Sequence, residues 1–226
     1  MNKLMLRITC CITALSIVCA RNVLLPATTT ETHKPWFCHN LECPTYDLVN
    51  RTDAYETRKY QSGRWVSTHA QGLAYHPSVA VGFQRLFKYI SGDNEAKKKI
   101  EMTSPVTVQT TPGQGPACTS DFLVSFFLPY KFQEHPPKPV DSNIIFTDAP
   151  AVTMYVGQHG GMIGDDKVIA AKTTELLSQL QDDGHQVNES LVFTADYDPP
   201  YRLQHRHNEI WVTAAHTDVS HSTAVA

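Results

Sequence analysis

The stretch that decides the fold runs from residue 55 to residue 69 and reads YETRKYQSGRWVSTH. Residues 55–60 are typical of a polar, edge-like strand, and residues 64–69 are typical of a second strand. Ser62 and Gly63 between them are turn residues, which predicts that the two strands pair as a hairpin. The folded domain is therefore expected to open with antiparallel β-structure.

Two amphipathic helices are predicted on either side of the midpoint of the chain. The first covers about residues 77–90, where Pro77 suits a first helical turn. The second begins near Asp165 and Asp166, whose charge suits a helix N-terminus, and ends at Gly184. The apolar positions that recur at helical spacing are Val79, Phe83, Leu86, Phe87 and Ile90 in the first helix and Ile169, Leu176, Leu177 and Leu180 in the second.

The rest of the domain is predicted to be β-structure. Each half of the domain reads strand, strand, helix, strand, strand, although there is no literal sequence repeat. This order predicts an α+β fold with a pseudo-symmetric antiparallel sheet, curved or closed, and two flanking helices. The further strands are predicted at residues 100–108 (interrupted at Pro105), 122–128, 144–147, 151–157, 191–197 and 208–214.

Residues 1–20 resemble a secretory signal peptide. Lys3 and Arg7 form a positive segment before the mostly apolar residues 8–18, and residues 18–20 (VCA) resemble a cleavage site. The apolar run is shorter than the roughly 20 residues that a membrane span needs. We therefore expect a secreted, extracellular protein without stable membrane insertion, and a short N-terminal membrane anchor is the alternative.

A single folded domain is predicted over residues 36–216. The Thr-rich residues 21–35 are expected to form a flexible arm, and residues 217–226 a flexible tail. The composition is globular, with 42% hydrophobic and 18% charged residues. Loss of residues 1–20 would remove two of the 19 Lys and Arg residues and none of the 22 Asp and Glu residues. The resulting acidic balance excludes a basic nucleic-acid footprint.

Three of the six cysteines remain beyond the signal segment, namely Cys38, Cys43 and Cys118. Cys38 and Cys43 are close enough in sequence to form a small disulfide ring, and a bridge from Cys118 to either of them is the alternative. No spacing of Cys and His supports a zinc site. Secretion would also make the two Asn-x-Ser/Thr triplets, at Asn50 and Asn188, glycosylation sites.

Catalytic signatures are absent from the sequence. It has no Gly-x-Ser-x-Gly motif, no His-Glu-x-x-His motif and no phosphate-binding glycine loop. Cys38 or Cys118 beside a histidine is a candidate nucleophile, but thiols in an oxidising compartment are usually disulfide-bonded or structural. We therefore predict that the protein is not an enzyme.

A set of motifs occurs in a fixed order along the domain. They are YETRKY (55–60), WVST (65–68), IEMTSPV (100–106), FQEHPPKP (132–139), YDPP (197–200) and NEIW (208–211). This set resembles the SOUL, or haem-binding protein, family over about residues 43–215, and its haem-binding protein 2 branch most. The resemblance implies a distorted antiparallel β-barrel with two flanking helices and an internal pseudo-twofold repeat. It also implies binding of haem or a related tetrapyrrole without established catalysis, and a more distant likeness to bacterial effector-binding domains.

A tetrapyrrole is a flat apolar disc with two carboxylates, so its site needs an apolar slot with cations near the rim. The first helix offers both kinds of side chain, and residues 197–207 offer rings, cations and imidazoles within a segment stiffened by proline. Lys59 stands where some family members have a histidine, so the axial ligand and any metal-binding residue stay open. The candidate cofactor-binding residues are Phe83, Arg85, Leu86, Phe87 and Lys88 on the helix and Tyr197, Tyr201, His205, His207 and Glu209 beyond it.

Glu209 has two possible roles. Strand alternation places Glu209 and Trp211 on one face, so a buried Trp211 implies an at least partly buried Glu209, which needs a hydrogen-bonding or ionic partner. In a structural role, that partner is a turn or a cation. Alternatively, Glu209 marks a ligand groove, as its counterpart does in the bacterial effector-binding domains.

Together these observations predict a secreted carrier or scavenger of tetrapyrroles. The alternative is a protein-interaction module, because some family members act through protein partners in cell-death or membrane-permeability settings. The second helix, with Lys167, Lys172 and Glu175, would then present the surface for the partner. A third alternative is an enzyme that acts on tetrapyrroles, for example by removing a metal.

Overall fold

The computed structural model describes residues 34–115, 118–162 and 164–215. The predicted signal segment and tail, and most of the predicted arm, lie outside these residues, and no helix within them is long and apolar enough to cross a membrane. The described strands are β1 (Tyr46–Arg51), β2 (Glu56–Tyr60), β3 (Gly63–Gly72), β4 (Val106–Thr111), β5 (Ser120–Phe127), β6 (Ile144–Ala149), β7 (Val152–His159), β8 (Val187–Asp196) and β9 (Asn208–Ala214). The described α-helices are α1 (Tyr75–Ile90) and α2 (Asp166–Asp182).

The nine described strands form one antiparallel sheet in the order β1-β2-β7-β9-β8-β4-β5-β3-β6. The outermost strands, β1 and β6, each pair with a single neighbour and not with each other. The sheet is therefore open, and the prediction of a closed barrel is wrong. The α+β class, the antiparallel sheet and the two helices are confirmed, while the internal repeat stays a prediction.

The predicted hairpin within residues 55–69 is also wrong. β2 pairs with β1 and β7, whereas β3 pairs with β5 and β6. β1, which the sequence pattern does not indicate, takes the edge position predicted for β2. Because β2 is an interior strand, its polar side chains Glu56 and Arg58 are buried. The strand predicted at 100–108 is shortened to β4, which begins only after Pro105.

Contacts at the helix starts join the two helices to each other. The amide of Tyr75, at the start of α1, donates to Oδ1 of Asp166 at the start of α2, over 3.2 Å. Asp165 accepts a backbone hydrogen bond of 2.8 Å and begins α2 where the sequence predicts. Close packing of α1 on β5 requires a glycine, because a Cβ added at Gly82 would lie 2.6 Å from Val124.

The two faces of the sheet are covered differently. Both helices pack on one face, with buried side chains such as Leu86 of α1 and Leu176 of α2. The opposite face carries an aromatic cluster that includes Phe37 from the segment before β1. Residues of β9 alternate between the two, so that Ile210 faces the helices and Trp211 faces the aromatic cluster. The alternation decides which site each functional side chain can join.

Candidate functional site

The aromatic face contains a buried carboxylate that accepts five hydrogen bonds. Glu209 is fully buried beside the buried Trp211, as strand alternation predicts. Its Oε1 accepts from His207 Nε2 at 2.7 Å, and its Oε2 accepts from the Tyr197 hydroxyl at 2.8 Å and from Trp211 Nε1 at 2.7 Å. Arg58 donates from Nη2 to Oε1 at 2.8 Å and from Nη1 to Oε2 at 3.1 Å. These bonds fill the acceptor capacity of Glu209 and leave none for a ligand.

Arg58 on β2 provides the positive charge. We call Arg58, His207 and Glu209 the polar centre. The Arg58 side chain is fully buried, and its Nε donates to Glu56 at 2.7 Å while its Nη1 donates to the Tyr60 hydroxyl at 3.0 Å. Loss of one partner from such a buried pair leaves an uncompensated charge in the interior, which is strongly destabilising.

Electrostatic interactions keep Glu209 ionised. Desolvation alone would raise the pKa of Glu209, but the hydrogen bond from His207 and the charge and hydrogen bonds of Arg58 outweigh it and lower this pKa to about 2. Burial, and then the negative charge of Glu209, raise the pKa of the Tyr197 hydroxyl, which therefore remains a neutral donor. The polar centre is thus a charge-compensated structural unit at neutral pH.

Phe37 packs directly against the polar centre. Its ring stacks on the His207 imidazole with 4.0 Å between centroids and meets the Tyr197 ring edge-to-face at 4.7 Å. The Arg58 guanidinium carbon lies 5.5 Å from the centroid of the same ring. Phe37 is almost fully buried. Its side chain therefore occupies the space that a ligand groove over Glu209 would need.

A disulfide loop, residues 36–43, holds Phe37 in this position. The predicted disulfide between Cys38 and Cys43 is present, with the two Cα atoms 6.1 Å apart. His39 in the loop contacts the Asp198 carboxylate at 2.9 Å. Residues 38–43 are thus closed covalently into a ring directly after Phe37, and His39 anchors this ring to the segment between β8 and β9.

An open cavity of about 220 Å³ lies on the other face of the sheet, along one flank of α1. Arg85 is held there, because its Nη1 donates to Thr68 Oγ1 at 2.6 Å and its Nε lies 3.6 Å from Asp141. The ammonium group of Lys88 is exposed and has no hydrogen bond or close ion pair within the part of the chain that the structure describes, although its charge helps to lower the pKa of Asp141. The other lining residues are Val81, Gln84, Tyr89, Asp93 and Ile144.

Comparison with known proteins gives the family. The family model described as SOUL heme-binding protein matches residues 41–213, which is most of the chain. This chain belongs to the SOUL heme-binding protein family. Heme-binding protein 2 of Homo sapiens is 35% identical over 74% of this chain and 80% of that protein. Heme-binding protein 2 of Mus musculus is 33% identical over 76% and 85% of the two chains, and Heme-binding protein 1 of Xenopus laevis is 30% identical over 70% and 82%.

Solved structures share the fold at low sequence identity. EcmrR, in a cryo-EM structure of its DNA complex, has a TM-score of 0.53 at 14% identity over 73% of this chain and 60% of that chain. A hydrolase from Listeria innocua has a TM-score of 0.50 at 8% identity over 74% and 93%. At these identities the likeness is to the fold alone.

In this SOUL family member the two predicted site walls lie on opposite faces of the sheet. α1 belongs to the helix-bearing face, whereas Tyr197, His207 and Glu209 meet on the aromatic face. Tyr201 and His205 lie on the exposed loop between β8 and β9, with Tyr201 84% exposed. The second wall therefore consists of a closed polar centre and an exposed loop, and it does not meet α1.

The predicted residues of α1 divide between three environments. Leu86 is fully buried in the core. Phe83 and Phe87 stack on each other with 5.9 Å between ring centroids and do not line the cavity. Arg85 and Lys88 do line it. Among the helix residues predicted to bind a cofactor, the cavity therefore has the cations without the aromatic side chains.

Sequence reasoning missed Arg58 and Phe37. Arg58 belongs to a strand interpreted as polar and edge-like, although alternation does place it on one face with Glu56 and Tyr60. Three large or charged side chains on one face of a strand were the available signal for a buried ionic site. Phe37 was signalled only by its position next to Cys38, since an aromatic residue beside a disulfide is held close to the fold.

Proposed function

We propose that this protein binds haem or a related tetrapyrrole outside the cell, as a non-enzymatic carrier or scavenger. Membership of a family whose relatives are named heme-binding proteins supports this ligand class. The observation that carries the proposal is the cavity beside α1, where the unpaired Lys88 meets apolar side chains at an open surface.

The cavity fits the edge of a tetrapyrrole better than the whole ring. Its volume of about 220 Å³ is below the roughly 300–1,000 Å³ of pockets that enclose a ligand. Lys88 would pair with an acidic side chain of the ring, and Arg85 would pair with the other by exchanging Asp141 for it. Val81 and Ile144 would contact the apolar rim of the ring.

The lining residues support binding without coordination of iron. None of the described lining residues is His, Cys or Met, and the Tyr89 hydroxyl already donates to the Pro137 carbonyl at 2.7 Å. Haem would supply the colour and a redox-active iron, while this chain supplies charge pairing and apolar contact. Iron-free tetrapyrroles share both of these contacts.

Titration of the purified protein with haemin and with metal-free protoporphyrin tests the proposal. We expect a saturable change in Soret absorption with haemin and similar affinity for the metal-free ring. Lys88→Glu should weaken both affinities about tenfold, because it replaces an attractive charge by a repulsive one. Lys172→Glu makes the same charge change on α2 and should bind like the wild type. A flat haemin titration, or equal affinities for Lys88→Glu and the wild type, would contradict the proposal.

Secretion is the second part of the proposal. Asn50 is exposed on the edge strand β1 and Asn188 is partly exposed on β8, which supports glycosylation of both. Expression in a eukaryotic cell should give protein in the medium that begins after residue 20 and loses mass with an N-glycosidase. Protein retained in the cell with residues 1–20 attached would contradict secretion.

A further inference from the structure

The last residue pair of the β8–β9 ladder joins two polar side chains on the helix-bearing face. Asp196 of β8 is directly opposite Asn208 of β9. Thr194, two residues before Asp196, points to the same face and hydrogen-bonds the Tyr75 hydroxyl of α1 at 2.6 Å. Side chains of directly opposite residues have Cβ atoms about 5 Å apart, so Asp196 and Asn208 are within reach of each other.

Both side chains have a buried acceptor without a donor. Oδ1 of Asp196 and Oδ1 of Asn208 are buried, and no donor within the described ranges reaches either of them. The Nδ2 of Asn208 donates to the Gly161 carbonyl at 2.7 Å, in the turn after β7. Buried acceptors are rarely left unpaired, because each costs the free energy of its lost hydration. The arrangement therefore lacks one donor, and a proton on Asp196 would supply it.

The charged neighbours do not supply this donor. The Nη1 of Arg206 donates hydrogen bonds to the Pro199 and Arg202 carbonyls, at 2.7 and 2.9 Å. Its Nη2 donates to the Asp198 carbonyl at 3.0 Å. The Nε of Arg206 is buried without a partner and does not reach Asp196. The charged groups that act on Asp196 are Arg206 and Asp198 between β8 and β9, and the Tyr75 hydroxyl of α1 responds to both Asp196 and Asp166 of α2. His159 of β7 is directly opposite Asn208, and its Nε2 is also buried without a hydrogen-bond partner among the described residues, so it does not supply the donor.

We propose that Asp196 and Asn208 form a proton-operated latch on the turn at Gly161. When Asp196 is protonated, its hydroxyl donates to Oδ1 of Asn208, and Nδ2 of Asn208 holds the Gly161 carbonyl. When Asp196 is ionised, two acceptors would oppose each other. The Asn208 amide then turns over, donates Nδ2 to the carboxylate and releases Gly161. The side-chain amide thus has two exclusive partners, and one proton selects between them.

The latch responds near neutral pH and is connected to α1. The pKa of Asp196 is raised to about 7, mainly by burial. The positive charge of Arg206 lowers this pKa, and the negative charge of Asp198 raises it. Burial lowers the pKa of His159, so this neighbour stays neutral as Asp196 titrates. The turn at Gly161 precedes α2, where Asp166 accepts the first amide of α1. Release of the turn therefore loosens the segment that fixes the start of α1.

Hydrogen exchange of the backbone amide of Tyr75, which donates to Asp166 at the start of α2, tests the latch when it is expressed as protection relative to an unstructured peptide. In the wild type we expect protection to fall about tenfold between pH 6 and pH 8.5. Asp196→Asn places a permanent Nδ2 donor opposite Asn208 and should change less than about twofold over this range. Asp148→Asn makes the same chemical change on β6, in an exposed ion pair with Arg64 of β3, and should behave like the wild type.

The same pH profile in Asp196→Asn and the wild type would assign the effect to other groups and overturn the latch. A wild-type profile without pH dependence would also overturn it. A carboxyl carbon NMR titration of wild-type Asp196 is independent of any variant. We expect a midpoint near pH 7, and a midpoint below pH 5 would overturn the proposal even if the Asn variant failed to fold.

Discussion

Glu209 and Asp196 are acidic residues on the paired strands β9 and β8, one step apart along the ladder, yet their surroundings are opposite. Glu209 points to the aromatic face and accepts five hydrogen bonds, two of them from Arg58. Asp196 points to the helix-bearing face, where its Oδ1 has no donor among the described residues. The pKa of Glu209 is lowered to about 2 and that of Asp196 is raised to about 7. Desolvation raises the pKa of both groups, so the hydrogen bonds to Glu209 and the positive charge of Arg58 decide the sign of the shift.

The largest expected effect comes from removing the main donor to Glu209. Arg58→Met should lower the free energy of unfolding by about 4 kcal/mol, because a buried carboxylate loses its counter-charge. Urea unfolding measures this change. Arg64→Met, which breaks the exposed pair with Asp148, should cost less than about 1 kcal/mol. If both variants lose a similar amount, burial does not distinguish the two ion pairs.

Removing the cover of the polar centre should have the next largest effect. Phe37→Ala deletes a buried ring stacked on His207 and should cost about 3 kcal/mol. Thermal and urea unfolding measure the loss. Trp36→Ala is the matched control on the same loop, and it should cost less than about 1 kcal/mol since Trp36 is 66% exposed. Equal losses would mean that the loop acts as a whole rather than through Phe37.

Opening the disulfide ring should cost less than removing Phe37. The double change Cys38→Ser and Cys43→Ser should lower stability by about 2 kcal/mol, as expected for a short loop. Cys118→Ser serves as the control, because Cys118 is exposed and unpaired among the described cysteines. Unfolding under non-reducing conditions compares the two. A loss from Cys118→Ser as large as that of the double change would argue against the Cys38–Cys43 pairing.

The smallest effect distinguishes the two carboxylates by pH. Between pH 3.8 and about 7 the folded state keeps a proton on Asp196 that the unfolded state has released, so stability falls as pH rises. Glu209 acts with the opposite sign, since its contribution is present above pH 4.5 and is lost as pH falls towards 2.

Asp196→Asn should therefore reduce the loss of stability between pH 5 and pH 8 by at least about 1 kcal/mol relative to the wild type. Urea unfolding at both pH values measures the difference, and the histidines are common to both proteins. Parallel stability curves for the variant and the wild type would show that Asp196 is ionised in the folded state.

The local pattern predicted much of the fold. Both helices follow from apolar spacing and from Asp165, and the shared face of Glu209 and Trp211 follows from alternation alone. These features depend on neighbours in sequence, which is what periodicity reports. The pairing of β2 with β1 and β7 depends on strands far away in the chain, and no local signal selects between that arrangement and a hairpin.

The site was less predictable for the same reason. Arg58 in isolation resembles a solvent-facing cation of a polar strand, and it is buried only because Glu209, 151 residues away, meets it across the sheet. Arg85 was expected to be available to a ligand carboxylate, but Thr68 and Asp141 contact it. Asp196 shows no sequence signal, because the absence of a donor is a property of the assembled strands.

The outer margin of β1 bears on how the protein behaves at high concentration. The unpaired backbone groups of an edge strand can hydrogen-bond to a strand of a second chain. The exposed apolar side chains of Leu48 and Val49 would favour such pairing between chains. The register shift between Leu48 and Asn50 interrupts the regular ladder at this point. An incoming strand cannot extend past the irregularity in one register, so the β1 edge is expected to resist strand addition, which leaves the regular β6 edge as the place where a second chain would pair.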